Sequence, residues 1–313
     1  MPELRQPHGT AFAVRDPLPW NDVEDIVKAA ENVGYAAVFL PEIAGRDALA
    51  TAGMLAGATR ELLLGSGVVP MRSRSLPLTA MSAATVQERS GGRLVLGIGT
   101  GGAGRGALAE LRATVGGLRA LLDGEEVRSD GRRSRLSLVP ERRVPIWISA
   151  LGPRAMRLAG EVADGVILNW CPPERVTFAR ERIGEGAEVA GRDPESVSVA
   201  VYVRAWVGAD EPAGLRALNA AAAEYASFPA YARQFEQSGL AEEAAAAASA
   251  HRSGRPEDVP ERLVRSMAAV GETARETIEA VRAAGAQVPV VYPAAVGDPA
   301  PTLEATRTAL APA

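Results

Sequence analysis

The chain of 313 residues carries one cysteine, Cys171, two histidines, His8 and His251, and one lysine, Lys28. Each scarcity removes a class of chemistry. A lone thiol makes neither an internal disulfide nor a Cys-based zinc site, and it is compatible with a reducing compartment. Two histidines are too few for a multi-histidine metal centre and leave little room for a Ser-His-Asp triad, so no metal is expected. His8 reads as a residue at the start of a strand and His251 as a solvated one. A Schiff-base lysine or a P-loop lysine has almost no residue to draw on. No apolar run reaches the roughly 18 residues of a membrane span, and the polar start MPELRQPHG has no signal-peptide core. The expectation is a cytoplasmic protein with no membrane partner. A net charge of −4 without a basic block argues against nucleic acid as well.

What is present is apolar residue and glycine: 47% of the chain is apolar and 32 residues are glycine, enough for one large α/β domain or two small ones. The stretch ERSGGRLVLGIGTGGAG, residues 88–104, reads as a buried strand opening into a glycine-rich mouth. Gly97, Gly99 and Gly102 satisfy the dinucleotide pattern G-x-G-x-x-G, but the context opposes it. More than one βα unit precedes the motif. The acidic residues that follow, Asp123, Glu125 and Glu126, flank a glycine at a helix end rather than the end of a second strand.

Short apolar runs alternate with helical periodicity along the rest of the chain, which predicts a parallel sheet covered by helices. Asn21 and Glu24 have the spacing of a capping box, and Asp47 that of a helix cap. SDGRR reads as the turn of a hairpin excursion at about residues 125–140. After the seventh strand, about residues 210–258 form an alanine-rich helical insertion carrying Tyr225, Phe228, Tyr231 and Phe235. A helix is expected from Pro260 to Val270. Eight strands alternating with helices fit an α/β fold of the (β/α)8 TIM-barrel type, read here as one domain over residues 1–313 with the helical insertion after strand seven.

In such a barrel, reactive groups gather where strands end and βα loops begin. The rule selects Asp16 and Trp20, Glu42 and Asp47, Ser66, Gly67 and Val68, and Gly99, Thr100 and Gly101. It then selects Ala150, Leu151 and Gly152, Asn169, Trp170 and Cys171, and Arg204 and Trp206. Backbone and apolar groups outnumber acids and bases. Such a mouth suits an organic cofactor that brings its own chemistry while the protein positions it.

LLLGSGVVPMRSRSLPLTAMSAATVQERSGGRLVLGIGTGG, together with VPIWISALGPRAMRLAGEVADGVILNW, resembles the luciferase-like monooxygenase family, in particular its branch that uses the deazaflavin coenzyme F420. The resemblance covers most of the chain. It implies a (β/α)8 barrel, commonly a homodimer, that transfers a hydride between the deazaflavin C5 and a small-molecule substrate. It also implies a non-proline cis peptide at the third strand, for which Gly67-Val68 is the matching pair, with Gly99 and Thr100 beside it. The phosphate segment implied by the resemblance corresponds to Ala150, Leu151, Gly152 and Pro153, followed by Ala163, Asp164 and Gly165. Gly152 admits close backbone approach and Pro153 suits a first helical turn whose amides attract an anion. Without any ligand, the same segment reads as a helix start with a glycine turn.

The chain departs from the family where catalysis is concerned. Relatives acting on sugar phosphates or alcohols have a glutamate after the GTG of strand four and an acid-histidine pair after strand two; here these places hold Gly102 and Pro41-Glu42. Glu42 is the carboxylate expected nearest the ring, hydrogen-bonding it or relaying a proton. Its other reading is a loop carboxylate paired with Arg46 or capping a helix. Trp20, Trp170 and Trp206 are candidates for pocket walls or for core. The alternatives kept open are an FMN-dependent monooxygenase and a flavin- or deazaflavin-binding protein without turnover. Arg154 and Arg157 leave F420 and FMN undecided.

Overall fold

The computed structural model describes residues 6–14, 18–102, 104–129 and 131–312. Among these, eight parallel strands close on themselves. They are β1 (Ala11–Ala13), β2 (Ala37–Leu40), β3 (Leu63–Ser66), β4 (Leu94–Gly99), β5 (Ile146–Ser149), β6 (Gly165–Asn169), β7 (Ser198–Trp206) and β8 (Val288–Pro293). Each pairs with its successor in the chain, and β8 closes on β1 with Ala11 opposite Val290. This is the barrel expected from the alternation. Around it run α1 (Trp20–Asn32), α2 (Ala48–Ala58), α3 (Leu76–Arg89), α4 (Ala107–Leu122), α5 (Pro153–Val162) and α6 (Pro173–Val189), with α11 (Ala274–Ala283) and α12 (Pro299–Ala309) completing the ring. Four helices intervene between β7 and α11: α7 (Glu211–Ala226), α8 (Pro229–Gln237), α9 (Ala241–Ser253) and α10 (Glu261–Arg265). The expected hairpin is Val127–Ser129 paired antiparallel with Arg132–Ser134.

Side-chain size decides how the barrel is filled. Phe39, Trp147 and Tyr202 point inward among Ala11, Ala13, Ala37 and Ala200, so large rings interleave with small neighbours. Gly65 and Gly165 are required: a Cβ on the first would run into the Phe39 ring and on the second into the Trp147 indole. The outward residues of the strands pack under the helices in a second, larger cluster. The insertion has its own core, in which Leu218, Phe235 and Leu263 pack against Trp170 and Trp206 at the strand ends.

Two local expectations are corrected. Asn21 and Glu24 form no capping box, because α1 already begins at Trp20 with Pro19 at its cap; Glu24 instead accepts from Trp20 Nε1 and from Lys28. The helix expected from Pro260 to Val270 ends at Arg265, and Ala269–Val270 extends the sheet beside the end of β7. Asp47 does cap α2, accepting from the Ala50 amide at 2.8 Å.

The end of the barrel opposite the βα loops is fastened by side chains that answer backbone amides. Glu31, near the end of α1, accepts from the amides of Arg60, Glu61 and Leu62 at 2.7–3.2 Å, fixing the entry to β3. Burial pushes its carboxyl up, but the three amides outweigh this and hold it below the usual glutamate value. The folded state therefore favours the charged form. Its stabilisation is complete above the unfolded value near 4.5 and fades as pH falls through the lower folded value. Glu31→Gln is expected to cost about 1 kcal/mol at neutral pH and to flatten the acid side of the stability curve, measured by urea unfolding between pH 3 and pH 7. Unchanged curves would show that Glu31 holds nothing.

Candidate active site at the barrel mouth

Strand β3 stops at Ser66, the Gly67-Val68 peptide bond is cis, and pairing with β4 resumes at Val69 and Pro70. The kink is fixed from both sides. The Gly67 amide donates to Leu40 O at 2.8 Å, and the Met71 amide to Gly99 O at 2.8 Å. Behind it, the Ser66 hydroxyl donates to Gly97 O and accepts from the Gly97 amide, locking β3 to β4. Tyr202 on β7 reaches across the barrel to donate to Gly67 O at 3.4 Å, and a Cβ on Gly67 would overlap that hydroxyl. Gly99 is equally constrained: its Cβ would lie 2.5 Å from Val68 Cγ2 and 2.8 Å from Ser149 Oγ. Val68 is thus presented at the mouth with glycine on both flanks.

Thr100, Gly101 and Gly102 continue from β4. Gly101 and Gly102 are exposed and hold positive φ of 60° and 75°, which glycine adopts without strain. Ala150, Leu151 and Gly152 follow β5. Gly152 caps α5 with Pro153 in its first turn, and Gly152 offers that helix start no side-chain cap. Gly67, Val68, Gly99, Thr100, Ala150, Leu151, Gly152 and Pro153 therefore share one end of the barrel.

Ala163, Asp164 and Gly165 do not join them. Ala163 and Asp164 lead into β6 and Gly165 is its first residue, so all three lie at the opposite end of the barrel. Asp164 is buried there, accepting from Arg119 at 2.9 Å, from Arg143 at 3.0 Å and from the Ile146 amide at 2.9 Å. Gly165 is packed under Trp147. The phosphate segment expected from these three residues is withdrawn: in a parallel barrel, a loop that leads from a helix into a strand opens on the other face.

Glu42 sits at the mouth, tightly held. Arg74 donates to its two oxygens at 3.2 and 2.8 Å, and the Ala48 amide donates to it at 2.9 Å. Its partner is therefore Arg74 and not Arg46, whose side chain bonds Leu18 O. The same guanidinium bonds Asp47 at 2.5 Å, so one arginine joins the loops after β2 and β3. Asp16 lies outside the described residues. Trp20 bonds Glu24 and packs on the outer core, and Trp206 is packed on α7, where a Cβ at Gly214 would overlap its indole. Neither lines the mouth.

On the side of β6, β7 and β8, the mouth is covered by α7 and α8. The Tyr225 and Tyr231 rings meet edge to face at 4.7 Å, Asn169 Nδ2 donates to Tyr231 Oη at 2.8 Å, and Gln234 Nε2 donates to the carbonyls of Asn169 and Trp170. Trp170 is buried with φ of 53°. Cys171 is buried beside it; burial pushes its thiol up to about 12, so it is no nucleophile at neutral pH. Burial likewise raises Tyr202 and Tyr231 above the ordinary phenol value.

Sequence reasoning missed Arg74, Ser149, Tyr202 and Tyr292. The alternation of VAVYVRAW carried the signal for Tyr202, since Ala200, Tyr202 and Arg204 share one face of a strand. Nothing local marked Arg74, one of two arginines in MRSRS just before α3. Among the described residues no cluster of His, Cys, Asp and Glu is placed to hold a metal, and no helix is long and apolar enough to cross a membrane.

A luciferase-like monooxygenase family model matches residues 5–290. A 5,10-methylenetetrahydromethanopterin reductase of Methanolobus tindarius is 33% identical over 211 residues, 62% of this chain and 63% of that protein. The reductase of the same name from Archaeoglobus fulgidus is 32% identical over 219 residues, 65% of each chain. The match thus spans less than two thirds of either relative's length. An F420-dependent secondary alcohol dehydrogenase, solved with an F420-acetone adduct, superposes with a TM-score of 0.76 over 97% of this chain and 98% of that one at 17% identity, which is a likeness of fold.

Proposed function

Because the chain belongs to the luciferase-like monooxygenase family, we propose that it is an F420-dependent oxidoreductase acting on a small organic substrate. When bound, the deazaflavin supplies a site at C5 that gives or accepts a hydride. The observation that carries this reading is the close approach at the end of β3, where Val68 lies between Gly67 and Gly99, neither of which tolerates a Cβ. Val68 would support the ring from behind, and the Gly67 and Gly99 backbones would let it approach. The start of α5, where Gly152 offers no side-chain cap and Arg154 follows Pro153, would hold the anionic arm. The names of the reductase relatives and the neighbour's F420 adduct point the same way.

One geometric detail favours F420 over FMN. The terminal phosphate dianion of FMN calls for a dedicated cationic clamp, whereas the phosphodiester of F420 is satisfied by amides. Arg157 is already spent on Glu185 at 2.6 Å, which leaves Arg154 as the exposed cation of the α5 first turn. Titration of the purified protein with F420 and with FMN, followed by fluorescence, tests the reading. F420 should bind at least about tenfold tighter; no F420 binding overturns the proposal.

Glu42 stays in this proposal as the carboxylate at the mouth, now with both oxygens bonded. Glu42→Gln is expected to slow turnover less than about tenfold, the scale of a positioning contact, and stopped-flow bleaching of the cofactor measures it. A loss of a hundredfold or more would make Glu42 the proton relay. The proposal also carries a cytoplasmic homodimer. Met54 on α2 and Leu78 and Met81 on α3 are exposed large apolar side chains on adjacent helices that a second copy would cover, and a monomeric mass in sedimentation would remove that part.

A further inference from the structure

Strand β7 brings a guanidinium into the barrel mouth without a counter-charge. Arg204 is 6% exposed, and among the described residues it enters no ion pair. Its surroundings are rings. The guanidinium carbon lies 3.9 Å from the Tyr292 centroid, 5.3 Å from Trp170, 5.5 Å from Tyr225 and 5.9 Å from Tyr202. Cation–π contact stabilises the charge but does not satisfy its N–H groups. Nη2 makes one long bond to Tyr225 Oη at 3.3 Å, and Nη1 is buried with no partner at all.

The neighbouring polar atoms share this condition. Asn169 Oδ1, Trp170 Nε1 and Gln234 Oε1 are also buried without partners, although the opposite ends of Asn169 and Gln234 are firmly bonded. Buried atoms of this kind are uncommon in a protein interior, and these four belong to the ends of β6 and β7 and to α8, which bonds to Asn169 and Trp170. A buried cation beside partnerless polar groups is the arrangement expected where a ligand supplies the missing charge and bonds.

We propose that Arg204 is the substrate-recognition residue of the mouth, and that the substrate carries a carboxylate on a largely apolar, preferably flat body. The inference rests on the mouth being the active site proposed above. Its position suits the substrate rather than the deazaflavin: β7 stands across the barrel from β3, and Tyr202, bonded to Gly67 O, lies between Arg204 and the cis turn. The charge sets the class. One buried guanidinium balances a monoanion, and its planar fork matches a carboxylate in two parallel bonds. The rings of Trp170, Tyr225 and Tyr231 supply the apolar walls. Because Tyr225 and Tyr231 also cover the site, entry requires the α7–α8 turn, with its half-exposed Phe228, to lift.

The test compares wild type with Arg204→Met, a neutral side chain of similar length, by calorimetric titration with benzoate and hexanoate and with their neutral counterparts benzamide and hexanamide. Wild type should bind at least one acid about tenfold or more tighter than its amide, and Arg204→Met should lose the preference. Arg204→Met should also unfold at a temperature about 3 °C higher, because a buried charge without a partner is removed. A mere stacking strut would lower that temperature. Equal binding of acids and amides by wild type, or a preference unchanged in Arg204→Met, overturns the proposal. A parallel F420 titration separates the two readings. Carboxylate preference without F420 binding removes the proposed function alone, and F420 binding without carboxylate preference removes this inference alone.

Discussion

Gly67→Ala is expected to weaken F420 binding about ten- to hundredfold while the barrel stays folded. The added methyl would overlap the Tyr202 hydroxyl. Tyr202 has nowhere to retreat: it is buried, its ring meets Phe39 at 6.1 Å and Tyr292 at 5.7 Å, and the strand beneath it is paired on both sides. The Gly67-Val68 turn must therefore shift, and Val68 cannot shift toward β4 because it already closes over Gly99. Overpacking of this kind costs about 1–3 kcal/mol, which is the stated loss if the strain falls on the bound state. Fluorescence titration reads the affinity, and a melting curve confirms the fold. The double change Gly67→Ala with Tyr202→Phe removes the hydroxyl and should recover part of the loss. Wild-type affinity in Gly67→Ala would mean that the cofactor does not lean on this turn.

The largest stability effect is expected at Gly186, remote from the mouth. Helices α5 and α6 cross so closely that a Cβ on Gly160 would overlap the Ile183 carbonyl, and a Cβ on Gly186 would overlap the Arg157 carbonyl. Backbone cannot swing aside as a side chain can, so the helices must part. Gly186→Val is expected to cost about 3 kcal/mol or more and to lower the unfolding midpoint by on the order of 6 °C or more, read by circular dichroism. Gly184, one half-turn earlier, is the control. Its Cβ would meet only Pro194, at 3.9 Å, so Gly184→Ala should be neutral or stabilise by up to about 1 kcal/mol through helix propensity. A drop below about 1 °C in Gly186→Val would show that α5 and α6 slide apart freely.

The order of strands and helices was legible because it depends on periodicity and punctuation: apolar runs bounded by glycine, Asp47 before α2, Gly152-Pro153 before α5. The glycines of the mouth were legible as a pattern, though not the partners that make them necessary. Tyr202 lies 135 residues from Gly67 in the chain, and no local spacing announces that contact. Glu42 was placed at the right end of the barrel, but its bond to Arg74 depends on how two loops settle. The error at Ala163, Asp164 and Gly165 was avoidable, since chain direction alone assigns a segment before a strand to the far end. The isolation of Arg204 was not legible, because it reflects which charges are absent from its surroundings in space.

Cys171 gives the helical cover a built-in clock. Its thiol donates to Asn169 O at 3.6 Å behind the segment that Gln234 fastens, and no other sulfhydryl exists in the chain. An alkylating reagent added to the native protein therefore reacts only during excursions that expose this one atom. The labelling rate counts those excursions, and a compound that holds the cover down slows it, with no cofactor, turnover or engineered probe required.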